Sequence, residues 1–361
     1  MTNPALEALG LAVASRTPVL LWGAPGTGKS SAVQALAGAS GQACEVVIAS
    51  IREPSDFAGL PIVFEGGVRF APPSWAQRLA SAGRGVLFLD EISTAPPAVQ
   101  AALLRVVLER IVGDLALPDD VAVVAAANPP DQAADGWDLS GPLANRFCHL
   151  DWTVDAQSIA EGFISGFPPP SVVELLPDWQ RSVTRARVDV ASFLQVRPAL
   201  VSAPPLERAA AGRAWPSPRS WDMAARLLGA ARSVDAAPAV LSALIAGCVG
   251  RGAGIEFLTW MLELDLPDPE VVLADPQGFE LPERGDRAYA ALTSVAAAVA
   301  SNPTPERWAA GWNVLGVAAA DAPDVAAMAA RILARCRPEG VAAPPEAARF
   351  VPLLRDAGLL P

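Results

Sequence analysis

One stretch constrains this chain more than any other: Gly23-Ala24-Pro25-Gly26-Thr27-Gly28-Lys29-Ser30. Of the 27 basic residues, 26 are arginine, and Lys29 is the only lysine. It fills the lysine slot of G-x-x-x-x-G-K-[ST], a loop whose glycines let successive backbone N–H groups close around phosphate oxygens. The compact ammonium reaches the β- and γ-phosphates, and the following hydroxyl sits on Mg²⁺. The flanks agree. Val19-Leu20-Leu21-Trp22 reads as a short buried strand, and Ser31 to Ala39 as a helix whose N-terminal dipole faces the phosphates. A chance match in a Gly/Ala-rich chain is the plain alternative, and those flanks weigh against it. The expected nucleotide-binding set is therefore Gly23, Ala24, Pro25, Gly26, Thr27, Gly28, Lys29, Ser30 and Ser31, with Ser30 also a Mg²⁺ ligand.

The 361 residues suit two or three domains, and 52% apolar against 18% charged residues allows well-packed cores. The longest membrane candidate, Pro238 to Gly250, is too short to span a bilayer, which needs ~20 residues. No basic segment followed by an apolar one opens the chain, so no secretory signal is expected. Cys44, Cys148, Cys248 and Cys336 are scattered without C-x-x-C pairing, which points to buried free thiols in a reducing cytoplasm rather than to zinc or disulfides. A net charge of −11 with no basic run disfavours nucleic acid as the primary substrate.

Downstream, Gly85-Val86-Leu87-Phe88-Leu89-Asp90-Glu91 reads as a fully buried parallel strand delivering two carboxylates at its C-terminal end, where ligands bind in open α/β sheets. Asp90 would hold the Mg²⁺ shell, and Glu91 would orient and deprotonate an attacking water. Val46-Val47-Ile48 is another buried-strand candidate, followed by the polar segment Ser50 to Asp56. Two hairpins are expected, one around Gly66-Gly67 within about 60–70 and one over Ile111 to Pro118. Between them Pro97 to Arg110 reads as a helix with Ala98, Ala101, Leu104 and Leu108 inward.

Val121 to Ala127 is a further buried strand ending at Asn128, whose amide could bond a γ-phosphate oxygen and the lytic water, or merely cap a turn. Arg146, just before the strand candidate Cys148-His149-Leu150-Asp151, is either a plain surface arginine or a finger reaching a neighbouring subunit's γ-phosphate. His149, the only histidine, reads as structural. From about residue 152 the pattern turns to alanine- and leucine-rich helices with proline connectors such as Phe167 to Pro170. Ser217-Pro218-Arg219-Ser220 opens a helix that places Arg219 at an N-terminus, either as a second γ-phosphate sensor or as part of a cap packed between two tryptophans. In the last third, helices are expected at Ile255 to Leu266, Tyr289 to Ala300 and Val325 to Cys336.

This ordered set resembles the AAA+ ATPases, and within them most closely the MoxR-type branch, to which the two inserted hairpins point. The resemblance implies an α/β fold: an AAA+ P-loop domain over 1–152 with parallel sheet order 5-1-4-3-2 and helices on both faces. An all-α lid over 153–265 and a helical region over 266–361 would follow. By resemblance Lys29 is the Walker A lysine, Asp90 and Glu91 the Walker B pair, Asn128 sensor 1, Arg146 the arginine finger and Arg219 sensor 2. The cofactors implied are ATP and Mg²⁺. The partners implied are further copies in a ring, usually a hexamer, and a protein bearing a von Willebrand factor A domain. Ile92-Ser93-Thr94 departs from relatives that carry Asn-Arg after the Walker B pair. The leading expectation is an ATP-driven, chaperone-like remodeller of a partner protein. A slow nucleotide-dependent switch and a nucleic-acid translocase or restriction-type motor are the alternatives.

Overall fold

The computed structural model describes residues 4–129, 137–167, 170–264, 266–318 and 323–356. Pro168 and Pro169 of the Phe167 to Pro170 connector lie outside them. Contacts divide the chain into two units, 1–176 with 200–255, and 177–199 with 256–361.

In chain order the first unit begins with α1 (Pro4–Ala14), β1 (Val19–Trp22), α2 (Lys29–Ala39), β2 (Ala43–Ile48) and the single turn α3 (Ser55–Ala58). Then come β3 (Leu60–Phe64), β4 (Gly67–Ala71), α4 (Ser74–Ala82), β5 (Arg84–Asp90) and α5 (Pro97–Glu109). β6 (Ile111–Val112), β7 (Leu115–Ala116), β8 (Asp120–Ala127), α6 (Gly141–Ala144), β9 (Cys148–Asp151) and α7 (Ala156–Ser165) follow. α8 (Trp179–Val196) belongs to the second unit; the chain then returns to the first with α9 (Arg208–Ala211), α10 (Pro218–Ser233) and α11 (Pro238–Val249). After α12 (Arg251–Leu264), α13 (Pro269–Ala274), α14 (Gly285–Ser301), α15 (Pro305–Ala318), α16 (Pro323–Arg335) and α17 (Val351–Asp356) complete the second unit.

β2-β5-β8-β1-β9 form one parallel sheet. Counting its five strands in chain order gives 2-3-4-1-5, the expected 5-1-4-3-2 read from the other edge. Val121 to Ala127 and Gly85 to Leu89 are buried throughout, as central strands covered by helices on both faces must be. Register sets the site. Trp22 pairs with Ala127 and with Asp151, so Gly23 and Asn128 leave neighbouring strands side by side. Ile48 pairs with Asp90 at the same edge. β2 is an edge strand, so Val46 and Ile48 are exposed and only Val47 of its apolar run is buried; the expectation of a fully buried strand fails here. On α5 the inward face is Val99, Leu103, Val106 and Val107, while Ala98, Ala101 and Leu108 are exposed. Two apolar stripes compete on that helix, and the one with the larger side chains enters the core because it buries more area.

Both expected hairpins form, β3–β4 and β6–β7. They are joined at the base: the Phe70 N–H donates to Asp114 Oδ2 at 2.7 Å, the Asp114 N–H to the Phe70 carbonyl at 3.0 Å. The second unit is all-helical around Trp308, Trp312, Leu315, Leu333 and Phe350. α8 packs on α14 within it, so residues 153–265, expected as one lid, are shared between the two units. Among the described residues no helix is long and apolar enough to cross a membrane. Cys148 and Cys248 are buried free thiols; Cys44 and Cys336 are half-buried.

Candidate nucleotide site

The loop between β1 and α2 is built to turn its backbone outward. Gly26 and Gly28 have φ of 74° and 83°, the left-handed region, and Gly28 caps the N-terminus of α2 without a side-chain bond. The turn is braced from β9: the Trp152 indole N–H donates to the Thr27 carbonyl at 3.1 Å, and the Trp152 N–H to the Trp22 carbonyl at 2.6 Å. A Cβ at Gly23 would lie 2.5 Å from the Trp152 carbonyl oxygen, so the close approach demands glycine.

Lys29 is 7% exposed. Its ammonium donates to the Gly23 carbonyl at 2.6 Å, the Ala24 carbonyl at 3.0 Å and Asn128 Oδ1 at 3.0 Å. Burial pushes its pKa below the ordinary lysine value, and Asp90 opposes that shift. Ser30 Oγ donates to Asp90 Oδ2 at 2.7 Å. A hydroxyl and a carboxylate side by side are the hard oxygen donors that Mg²⁺ takes, so the residues present fit that ion. Left-handed glycines, a buried ammonium and a helix N-terminus fit a polyphosphate in the same way.

Glu91 has φ 56° and turns back from the end of β5, where Ser50 Oγ donates to Glu91 Oε2 at 2.5 Å. Ser50 follows β2, the strand paired with β5. The sequence reading missed it, although a hydroxyl just beyond a strand beside the carboxylate strand was the available signal.

Arg146, just before β9, and Arg219, in the first turn of α10, both belong to the first unit. The Arg146 guanidinium donates to the Pro142 carbonyl, its buried Nε has no partner, and its pKa is lowered by burial and then by the charge of Arg219. Arg219 is exposed and makes no ion pair among the described residues. Arg213, which the sequence reading also missed, lies 4.0 Å from the Trp22 ring centroid and donates to Asp151 Oδ1 at 3.2 Å.

His149 is structural. The Trp22 indole N–H donates to His149 Nδ1 at 2.8 Å, which leaves Nε2 to donate to the Ala144 carbonyl at 2.9 Å. Full burial lowers its pKa to about 4, so the ring is neutral.

Residues 18–147 match the family model described as the AAA domain, dynein-related subfamily. Together with the sheet order, this makes the segment an AAA+ P-loop domain, followed by helices. The chain is similar to the "Pathogenicity locus probable regulatory protein WtsA" of Pantoea stewartii, 34% identical over 119 residues, covering 31% of this chain and 37% of that protein. It is also similar to the anaerobic nitric oxide reductase transcription regulator NorR of Escherichia coli, 33% identical over 130 residues, covering 33% of this chain and 25% of that protein. Among solved structures it resembles a full-length MCM homolog from Methanopyrus kandleri, at 17% identity and TM-score 0.37, covering 67% of this chain and 55% of that one. The chain thus spans only about a quarter to two fifths of the two regulators it matches.

Proposed function

We propose that this chain binds ATP with Mg²⁺ and hydrolyses it at a site completed by a second copy in a ring, in the manner of MoxR-type AAA+ proteins. The observation that carries the reading is the three-way contact of the buried Lys29 ammonium with the loop carbonyls and Asn128, beside the Ser30–Asp90 pair. Lys29 would hold phosphate oxygens, and Ser30 and Asp90 would hold the ion, whose charge would offset that on the phosphates. Asn128 orients the attacking water and Glu91 accepts its proton, once freed from Ser50. Arg146 supplies the missing cation to the neighbouring copy, and Arg219 acts as a phosphate sensor.

The work done with that energy is read as remodelling of a partner protein. Support comes from the β3–β4 hairpin, whose Leu60, Ile62, Val63, Phe64, Val68 and Phe70 are all exposed around a single arginine, Arg69. Such a surface suits a protein client better than a phosphate backbone. A partner with a von Willebrand factor A domain and a cytoplasmic setting remain part of this proposal. A regulatory switch is the second reading, favoured by the likeness to the regulators WtsA and NorR. Binding and chemistry separate in two variants. Lys29→Ala loses Mg·ATP binding in a fluorescent-nucleotide titration, whereas Glu91→Gln keeps binding and loses about 10²-fold or more in turnover. Full turnover in Glu91→Gln would contradict the assignment.

A further inference from the structure

Arg146 stands between two buried anchors, Asn145 at 4% and Phe147 at 1% exposure. The N–H groups of 145, 146 and 147 donate to the carbonyls of Gly141, Leu143 and Ala144, so the backbone of this corner is fixed. The Asn145 carboxamide bonds outside its own corner. Its Nδ2 donates to the Trp215 carbonyl at 3.1 Å, and its Oδ1 accepts from Ser217 Oγ at 2.6 Å. Reversing the amide would set oxygen against the Trp215 carbonyl, so one orientation is selected.

Ser217 is the N-cap of α10. Its Oγ accepts from the Ser220 N–H at 3.1 Å, the Ser217 N–H donates to Ser220 Oγ at 2.8 Å, and Ser220 Oγ donates to the Trp215 carbonyl at 2.9 Å. The Asn145 and Ser217 side chains therefore satisfy each other and the first turn of α10, with Arg146 one residue from one end of the link and Arg219 two residues from the other. The depressed pKa of Arg146 has the Arg219 charge as its second cause, in accord with that proximity.

We propose that Asn145 is a positioning residue: it ties Arg146 to the N-terminus of α10, so that a subunit offers its finger to the neighbour only when the helix carrying Arg219 is seated. This rests on the reading above that Arg146 acts on the neighbouring copy, and it adds a route by which the state of α10 reaches the next site.

Mixed rings test it. Glu91→Gln subunits do not hydrolyse but present an intact Arg146 to their neighbours. Alone, Asn145→Ala is expected to lose turnover by about 10²-fold, the scale of a 1 Å misplacement, while Mg·ATP binding stays within about threefold, since a finger donated in trans adds little to ground-state affinity. Mixing with Glu91→Gln is expected to restore turnover in Asn145→Ala, as in Arg146→Ala. Restoration of Arg146→Ala but not of Asn145→Ala overturns the proposal and leaves the shared site standing. Restoration of neither removes the trans reading and the proposal with it. Unchanged turnover in unmixed Asn145→Ala also overturns it. Should Asn145→Ala fail to fold, judged by thermal melting, Ser217→Ala cuts the same link from the α10 end at the cost of a helix cap; a loss of turnover that mixing restores is expected, and a loss that mixing does not restore overturns the proposal.

Discussion

At the residue scale, Lys29 keeps its charge under cover because three oxygens face it, two from the loop and one from Asn128. His149 meets the same problem by giving up its charge. Its folded pKa of about 4 lies below the ordinary 6.5, so the unfolded chain takes up the proton first as pH falls. The contribution of the neutral ring to stability is present above pH 6.5 and is lost as pH falls from there towards 4, at up to about 1.4 kcal/mol per pH unit. Urea midpoints of the native protein and of His149→Gln, measured across that window, should differ in slope, the native protein falling more steeply. Parallel slopes would contradict the neutral-ring assignment.

At the element scale, the hairpins depend on one close approach. Gly113 has φ 60°, and a Cβ there would lie 2.5 Å from the Phe70 carbonyl oxygen. Gly113→Ala should therefore cost about 1–3 kcal/mol in a urea melt; an unchanged midpoint would mean that the hairpin bases are not joined as described. The five sheet strands were legible because each is a short apolar run with a turn after it, and Lys29, Ser30, Asp90 and Glu91 because loop and strand end are local patterns. The inner face of α5 was not legible, since two apolar stripes lie on it. α8 follows residues 153–176 in sequence yet packs on α14, a long-range contact that no local period encodes. Ser50, Asn145 and Arg213 were missed for the same reason: each matters through a partner 41, 72 or 62 positions away.

At the scale of the whole molecule, the proposed mechanism requires that one copy does not hold a complete site. The loop after β1 supplies Lys29 and Ser30, the end of β5 supplies Asp90 and Glu91, and the end of β8 supplies Asn128, while the Arg146 guanidinium donates to the Pro142 carbonyl and feels the charge of Arg219. The measurement that tests this most directly is ATP turnover per subunit against protein concentration, in Mg²⁺ and without any partner. Turnover per subunit should rise with concentration to a plateau, and Arg146→Ala should flatten the curve near its low-concentration value. A measurable turnover that does not change with concentration would mean a self-contained site and would rule out the shared one.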